Sequence, residues 1–178
     1  MHHQAAVALI ERRYADVHGA TPNLDFPAFA THARNGVIGA ALGFRRADTG
    51  PLFLEAYLDD AIERHLSHIF QRSIMRHDIV EIGNMAAETA PAMVALWARA
   101  ANDLGNQAEV AVAVLTTSLR AMLRRLGVVL YEIAPARPER LGRTASKWGA
   151  YYEKDPIVCA GLIAEGQSRL ALMGRGRS

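Results

Sequence analysis

The amino-acid sequence predicts a single α/β domain in which a mixed sheet carries helices on both faces. A hairpin signal stands near the start of the chain and indicates antiparallel strands. The second half alternates apolar strands with segments of helical period, which indicates helical crossovers between strands. With 178 residues, of which 51% are hydrophobic, the chain can bury one core. We expect one domain over residues 1–173 and a flexible tail over residues 174–178.

A helix and a hairpin are the first predicted elements. Apolar side chains recur at helical spacing over residues 4–17, and Gly19 follows as a stop signal. The segment TPNLDFP then predicts a turn-rich linker. Asn35-Gly36 separates two apolar runs, and this dipeptide favours a hairpin because both residues tolerate positive φ. The sequence therefore predicts a helix followed by an antiparallel strand pair.

A strand, a helix and a second strand are predicted next. The stretch LFLEAYL begins at residue 52 and predicts a strand. Either Asp59 or Asp60 is expected to cap a helix that runs to about residue 71. The segment IVEIGN, residues 79–84, predicts a further strand that has one carboxylate within an apolar run.

The rest of the chain alternates helices and strands. Thr89 can cap a helix that has Pro91 in its first turn and ends at Gly105. After it, AEVAVAVLT predicts a strand, TSLRAMLRRLG a helix and VVLYEIA a strand. The segment RLGRTASKWGAYYEKDP is loop-like with one short helical possibility, and IVCAGLIA predicts the last strand.

Composition excludes several function classes. The net charge is only +2 and the arginine-rich segments carry no nucleic-acid fingerprint, so we expect no nucleic-acid partner. A single cysteine, Cys159, excludes an internal disulfide, and His65, His68 and His77 form no metal-ligand set. The longest uncharged stretch, residues 110–119, is too short to span a bilayer, and no signal peptide is apparent. We expect a soluble cytoplasmic protein without bound metal or integral membrane association.

Several short motifs, taken in their order along the chain, resemble the thermostable hemolysin family. The resemblance extends from about residue 14 to residue 162. The motifs are GFRRA (43–47), LFLEAYLD (52–59), IE (62–63), IVEIGNMA (79–86), WGAYY (148–152), DP (155–156) and AG (160–161). That family is similar to the GNAT acyltransferases and, more distantly, to the acyl-homoserine-lactone synthases.

The resemblance implies a GNAT-like fold, in which the mixed central sheet is splayed near its middle. An acyl thioester would lie in the opening, and its acyl group would pass to a small-molecule amine or alcohol. No tightly bound cofactor is implied. The co-substrate would be acyl-CoA or the phosphopantetheine of an acyl-carrier protein.

The two donors differ in what they require of the chain. GNAT enzymes usually receive the pyrophosphate of coenzyme A on a Gly-rich turn, but the segment NMAAETAPAM has no glycine and contains Glu88. This departure disfavours coenzyme A bound in the usual manner. A basic surface on this chain would suit an acidic carrier protein. Alternatively, the basic residues belong to a loop that is simply exposed to solvent. The basic residues are Arg137, Arg140, Arg143 and Lys147.

Two glutamates in apolar segments are the predicted catalytic acids. Burial would raise the pKa of Glu81 towards neutrality, which suits the general base for an amine nucleophile. The alternative is a structural ion pair with Arg45, Arg46 or Arg76. Glu55 is expected either to hold the acceptor's ammonium or hydroxyl group or to pair with Arg45.

Amide and aromatic side chains complete the predicted site. Asn84 can bond the substrate or act as a turn residue. The Tyr152 hydroxyl can protonate the departing thiolate, or the tyrosine can belong to a packing anchor. The acceptor-binding residues are expected to be Arg45, Tyr57, Asn84, Trp148 and Tyr151. The donor-binding residues are expected to be Met85, Ala86, Ala87 and Thr116.

Two other functions stay open at the level of sequence. The family name suggests membrane lysis, which would need a long apolar span or a basic amphipathic helix with a wide apolar face. The most hydrophobic helix, residues 91–104, is instead rich in alanine and typical of a packed core. Haemolysis could also arise indirectly through a lipid-like product. The third function is a catalytically silent small-molecule-binding module of the same fold.

Overall fold

A six-stranded mixed sheet forms the centre of the protein in the computed structural model, which describes residues 2–175. The strand order is β1-β2-β3-β4-β6-β5. The strands are β1 Ala28–Arg34, β2 Val37–Arg46, β3 Ile79–Ala87, β4 Val110–Leu115, β5 Tyr131–Pro135 and β6 Ile157–Leu162. The α-helices are α1 His2–His18, α2 Ile62–Phe70, α3 Ala90–Leu104, α4 Thr117–Arg125 and α5 Ile163–Arg175. The predicted α/β class is confirmed.

The hairpin and the helix of the first predictions are present. Asn35 and Gly36 have φ angles of 53° and 78°, the positive values that a two-residue hairpin turn needs. The hairpin joins β1 to β2, and β2 pairs in turn with β3, antiparallel in both cases. Helix α1 is followed by Gly19 in the left-handed region, with a φ of 62°.

The sheet opens between β3 and β4. These strands pair in parallel from Ile79 opposite Val110 to Ile82 opposite Ala113. Beyond that point β3 remains paired with β2, whereas β4 remains paired with β6. The two strands therefore diverge, as predicted for a splayed GNAT-like sheet, and they leave a wedge between them.

Helices cover both faces of the sheet, and alternate residues of β2 show this directly. Ala41 belongs to a core cluster with α1 and the aromatic residues of the segment after β5. Ala40 and Leu42 point the other way, into a cluster with α3 and α5. Helix α3 has the predicted cap, because the Thr89 hydroxyl accepts a hydrogen bond from the backbone N–H of Ala92.

The predicted strand at residues 52–58 is wrong, because Phe53–Tyr57 forms a 3-10 helix. At residues 80–82, beside the point where Glu81 binds this segment, β3 is flanked by both β2 and β4, so no sheet edge is free there. The predicted cap at Asp59 or Asp60 is also wrong, since α2 begins at Ile62 after Ala61. The carboxylate of Glu55 accepts the N–H of Ile62 instead, at 3.1 Å.

The last third of the chain contains more helix than the sequence predicted. Pro138–Lys154 is 3-10 helix, interrupted by Gly142 and Gly149, whose φ angles are 56° and 51°. Helix α5 was not predicted as a helix, and it runs through Arg175. The predicted tail begins at residue 174, and its residues 176–178 lie outside the described residues. No helix within residues 2–175 combines the length and apolar character needed to cross a membrane.

Candidate functional site

A cavity of about 550 Å³ lies at the divergence of β3 and β4. Its wall is formed by α1, the loop after α1, the end of β3, the start of α4 and the Pro138–Lys154 segment. Ten of the predicted site residues lie on this wall. They are Glu81, Arg45, Tyr57, Asn84, Trp148, Tyr151, Met85, Ala86, Ala87 and Thr116. The predicted residues that do not line it are Glu55 and Tyr152.

Glu81 lies on β3 close to the last residue pair before the strands diverge, and it is only 3% exposed. Its carboxylate accepts the backbone N–H groups of Phe53 at 3.0 Å and Leu54 at 2.8 Å. The first residues of the 3-10 helix therefore hold the carboxylate in place. Burial raises the pKa of Glu81, and it outweighs the two backbone hydrogen bonds and the nearby charge of Arg45, which lower the pKa.

Arg45 is the closest cation to Glu81, but the contact is loose. Its Nε lies 3.9 Å from the Glu81 carboxylate, beyond hydrogen-bond distance, and no partner for this buried Nε lies within residues 2–175. The terminal nitrogens donate to the carbonyl oxygens of Pro51 and Asp25. The guanidinium also lies over the Phe26 ring, 5.2 Å from its centroid. The ion pairs with Arg46 or Arg76 that the sequence left open for Glu81 are not formed.

Those two arginines bind other acids. Arg46 pairs with Asp48 at 3.0 Å. Arg76 donates to Glu55 at 2.8 Å and to Glu63 at 2.9 Å. The predicted pair between Glu55 and Arg45 is therefore replaced by a pair between Glu55 and Arg76.

Glu55 is the centre of a structural network outside the cavity. Besides Arg76, it binds the N–H of Leu52 at 2.9 Å and that of Ile62 at 3.1 Å. Burial favours the neutral form of Glu55, but these hydrogen bonds outweigh it and lower the pKa of Glu55. The carboxylate therefore joins the 3-10 helix, the start of α2 and the segment before β3.

Phe26 is a wall residue that the sequence did not single out. Its ring lies across Gly43 of β2 and Gly83 of β3, which are partners in the sheet. A Cβ at Gly43 would lie 2.6 Å from the ring and one at Gly83 would lie 2.5 Å from it. Both strands therefore need glycine at this level for the ring to lie flat on the sheet. The paired glycines were the only sequence signal for this contact.

Aromatic residues form a continuous wall that begins at the Glu81 end of the cavity and includes Phe53, Trp148 and Tyr151. Phe53 contacts Trp148, with ring centroids 5.8 Å apart, and Trp148 contacts Tyr151 at 5.3 Å. Tyr57 lines the cavity, and its hydroxyl bonds that of Tyr152 at 2.6 Å. Burial raises the pKa of Tyr57, and the hydrogen bond with Tyr152 adds to this effect.

Asn84 marks an irregularity in β3. Its φ is 50°, and the pairing of β3 with β2 shifts register between Gly83 and Ala86. The side-chain amide donates to the carbonyl oxygen of Asn23 at 2.6 Å. Asn84 thus ties the loop after α1 to an irregular part of β3, and it lies within the strand rather than at a turn that ends it.

The predicted donor-binding residues lie near the start of α3 and α4. Thr116 precedes α4 as its N-terminal flanking residue and lines the cavity. Glu88 stands before α3 and pairs with Arg12. No group of three or more His, Cys, Asp or Glu side chains in the described part of the chain is placed to hold a metal ion.

A second, smaller cavity of about 120 Å³ lies on the other face of the sheet. Apolar side chains from α3, α4, α5 and the strands line it almost completely. Ile82 and Met85 belong to the walls of both cavities, so these two side chains separate the two spaces.

Comparison with known proteins assigns the family. The family model described as Thermostable hemolysin matches residues 1–167. The chain belongs to the thermostable hemolysin family. The resemblance based on the sequence motifs is thereby confirmed. No curated protein matches the chain.

Solved structures resemble this member of the thermostable hemolysin family over nearly its whole length. TofI in a ternary complex with an inhibitor and MTA has a TM-score of 0.61 at 18% identity, covering 96% of this chain and 91% of that chain. FeeM, an N-acyl amino acid synthase from uncultured soil microbes, has a TM-score of 0.60 at 14% identity, with 94% of each chain covered. BjaI, a CoA-dependent acyl-homoserine lactone synthase bound to SAM and isopentyl-CoA, has a TM-score of 0.63 at 10% identity, with coverage of 99% and 84%. At these identities the likeness establishes the fold.

Proposed function

We propose that this protein is an acyltransferase that moves an acyl group from a thioester donor to an amine acceptor. The observation that carries the proposal is the position of Glu81, a buried carboxylate on the cavity wall beside the point where β3 and β4 diverge. The names of FeeM, an N-acyl amino acid synthase, and BjaI, an acyl-homoserine lactone synthase, support it because the fold is shared.

The wedge offers a place for the thioester arm. Beyond Ile82 the edge of β3 that faces β4 borders the opening, so its backbone N–H and C=O groups are available to an extended ligand. An extended pantetheine arm can lie there much as an added strand lies on a sheet edge. Met85, Ala86 and Ala87 are the residues of β3 that border this path.

The proposed chemistry is a direct aminolysis. Glu81 removes a proton from the acceptor's ammonium group, and the neutral nitrogen attacks the thioester carbonyl carbon. A C–N bond forms, the C–S bond breaks, and the departing sulfur takes the second proton from nitrogen. The products are an amide and a free thiol. The raised pKa of Glu81 suits this task because a base works best when its pKa lies near the working pH.

Tyr57 is better suited than Tyr152 to contact the reacting groups, because Tyr57 lines the cavity and Tyr152 does not. The raised pKa of Tyr57 makes its hydroxyl a hydrogen-bond donor rather than a proton donor to a thiolate. We assign Tyr57 to hydrogen bonding with the substrate and Tyr152 to orienting the Tyr57 hydroxyl.

The second cavity suits the alkyl tail of the acyl group. Its wall is apolar, and Ile82 and Met85 line both this cavity and the first one. Methionine is flexible enough to turn aside when a chain enters. A tail placed there would leave the thioester carbonyl on the Glu81 side.

A carrier protein suits the donor side better than free coenzyme A. Glu88 stands before α3, where its negative charge opposes an incoming pyrophosphate. Arg140 of the basic surface pairs with Asp59. The other three basic residues of that surface are exposed and form no salt bridge within residues 2–175. They are Arg137, Arg143 and Lys147.

The test is release of free thiol by purified protein. Octanoyl-acyl-carrier protein and octanoyl-CoA are supplied separately, each with a pool of amines and alcohols, and a thiol reagent reports turnover. We expect release with at least one donor, and release slowed by about 10²- to 10⁴-fold with Glu81→Gln. Absence of release with every donor and acceptor would support the silent binding module. Leakage from protein-free lipid vesicles without any donor would support a membrane-active protein.

A further inference from the structure

A second polar region of the cavity lies where the end of α1 meets the Pro138–Lys154 segment. His18 is the last residue of α1, Lys154 is the last residue of the 3-10 segment, and both line the cavity. The two side chains influence each other, because the positive charge of Lys154 adds to burial in lowering the pKa of His18. They form one polar region, separate from Glu81.

The His18 ring is held in place by aromatic neighbours. Its centroid lies 5.5 Å from that of Tyr14 and 5.3 Å from that of Tyr151, in edge contacts. Its Nδ1 is buried and has no hydrogen-bond partner among the described residues. An orphaned buried N–H is rarer than an orphaned acceptor, so the ring's proton belongs on Nε2. His18 therefore offers a neutral donor.

Lys154 is one of three basic residues on the cavity wall, together with Arg13 and Arg45. Arg13 lies near Glu88. The pKa of Glu88 is lowered mainly by Arg12, and the charge of Arg13 adds a smaller effect. Arg45 lies beside Glu81. Lys154 forms no salt bridge with any residue of the described range 2–175. The end of the cavity at Lys154 therefore has an excess of positive charge.

The aromatic wall joins this region to the base. It runs from Phe53, whose N–H binds Glu81, through Trp148 and Tyr151 to His18. A ligand with polar groups at its two ends and an apolar body between them matches this arrangement.

We propose that the acceptor is an amine that also carries a carboxylate, which Lys154 and His18 bind while the amine reaches Glu81. This inference rests on the proposed acyl transfer. One full positive charge and one neutral donor match the single negative charge of a carboxylate, which accepts through two oxygens. The chemical class of the acceptor is therefore an amino acid whose amine and carboxylate are separated by an apolar chain, which can lie along the aromatic wall.

The experiment compares amines that differ only in the carboxylate, using the donor that gives thiol release. The pairs are γ-aminobutyrate with propylamine, ε-aminocaproate with pentylamine, and 8-aminooctanoate with heptylamine. We expect kcat/KM to be about 10- to 100-fold higher for the carboxylate-bearing member of at least one pair. Lys154→Met should remove this preference by raising KM for that member, and Lys154→Arg should retain it.

Arg64→Met is the control, because Arg64 is exposed on α2, lines neither cavity and does not belong to the basic surface. It should leave both members of each pair unchanged. His18→Gln provides a second variant, with the same expected rise in KM for the amino acid alone. Equal kcat/KM within every pair would overturn this inference and leave the proposed acyl transfer standing. Absence of thiol release with all acceptors would overturn the proposed function, and the inference with it.

Discussion

Glu81 and Glu55 are both acids in apolar surroundings, yet their partners differ. Glu81 has two backbone N–H donors and a cation at 3.9 Å, and its pKa is raised by burial. Glu55 has the Arg76 guanidinium at 2.8 Å as well as two backbone N–H donors, and its pKa is lowered in spite of burial. The difference is the guanidinium that is hydrogen-bonded to Glu55. It makes Glu55 suited to a structural function, whereas Glu81, without such a bond, is suited to proton transfer.

Glu81→Gln is predicted to lower kcat by about 10²- to 10⁴-fold, the usual contribution of a general base. The amide leaves one of the N–H groups of Phe53 and Leu54 without an acceptor, so we expect a stability loss of about 1–3 kcal/mol. Thiol release and urea denaturation measure the two effects. Full activity in Glu81→Gln would contradict its role as base.

Glu55→Gln is predicted to retain its turnover per folded molecule, unlike Glu81→Gln, while its stability falls by about 1–3 kcal/mol at neutral pH. The folded-state pKa of Glu55 is below its ordinary value of 4.5, so its contribution is present above pH 4.5. It is lost as the pH falls through the lowered folded-state pKa. Urea denaturation at several pH values should show the wild type and Glu55→Gln converging in acid. A difference that stays constant with pH would contradict the ionic contribution.

The sequence could place Glu81 within an apolar run, because strand alternation is a local property. It could not assign the partner of Glu55, since Arg76 lies 21 positions along the chain. His18 and Phe26 were missed for the same reason. Each acquires its place through contacts with distant residues, such as that of Phe26 with Gly83.

At the level of elements, the segment from Leu52 to Leu58 shows how a pattern can fit two structures. Its alternation is typical of a strand, but Leu54 and Tyr57 are also three residues apart and both are buried in the 3-10 helix. The choice depends on whether a sheet edge is available. Since β3 has neighbours on both sides at residues 80–82, the segment forms a 3-10 helix that binds the Glu81 side chain instead.

Gly83→Ala is predicted to disturb the contact between the loop after α1 and the sheet. The new Cβ would lie 2.5 Å from Phe26, so the ring must leave its place on the cavity wall. We expect a stability loss of about 1–3 kcal/mol, together with a raised KM for the acceptor. Gly39→Ala is the control on β2, because its Cβ would lie 3.8 Å from Ala92, an ordinary contact. Equal effects of the two substitutions on stability and KM would contradict this account.

If the proposed acyl transfer takes place, Ala113→Leu is predicted to shorten the acyl chain that is preferred. Ala113 lines the second cavity at the point where β4 leaves β3, so a larger side chain there fills the space assigned to the alkyl tail. Thiol release with donors of increasing chain length measures the preference. Ala98→Leu on α3 is the control, since Ala98 is outside both cavity walls. An unchanged length preference in Ala113→Leu would place the tail elsewhere.

For the whole molecule, the sequence predicted the fold class well, because the patterns that indicate each element depend on residues close together in the chain. The Asn35-Gly36 turn, the Thr89 cap and the apolar strands each depend on neighbouring residues. The wedge between β3 and β4 is different. The wedge arises because β3 remains paired with β2 while β4 remains paired with β6. Only the resemblance to a known family led us to expect it.

The distribution of surface charge is a property of the whole molecule, and we expect it to determine which thioester donor is used. Reversing Arg137, Arg143 and Lys147 to glutamate is predicted to lower kcat/KM with octanoyl-acyl-carrier protein by about 10-fold or more. Steering by these exposed charges weakens as salt is added, so the wild type should lose the same advantage at high ionic strength. Octanoyl-pantetheine, which carries no phosphate, should react equally with both proteins.

Arg64→Glu is the control for charge reversal as such, because Arg64 is exposed on α2 and does not belong to the basic surface. It should leave kcat/KM with the carrier-protein donor unchanged. If the triple variant retains full activity and its salt dependence, the basic surface does not dock the donor. Free coenzyme A would then have to enter past Glu88, whose pairing with Arg12 leaves less negative charge to oppose the pyrophosphate. In that case Arg12→Ala, which exposes the Glu88 charge, should weaken use of octanoyl-CoA specifically.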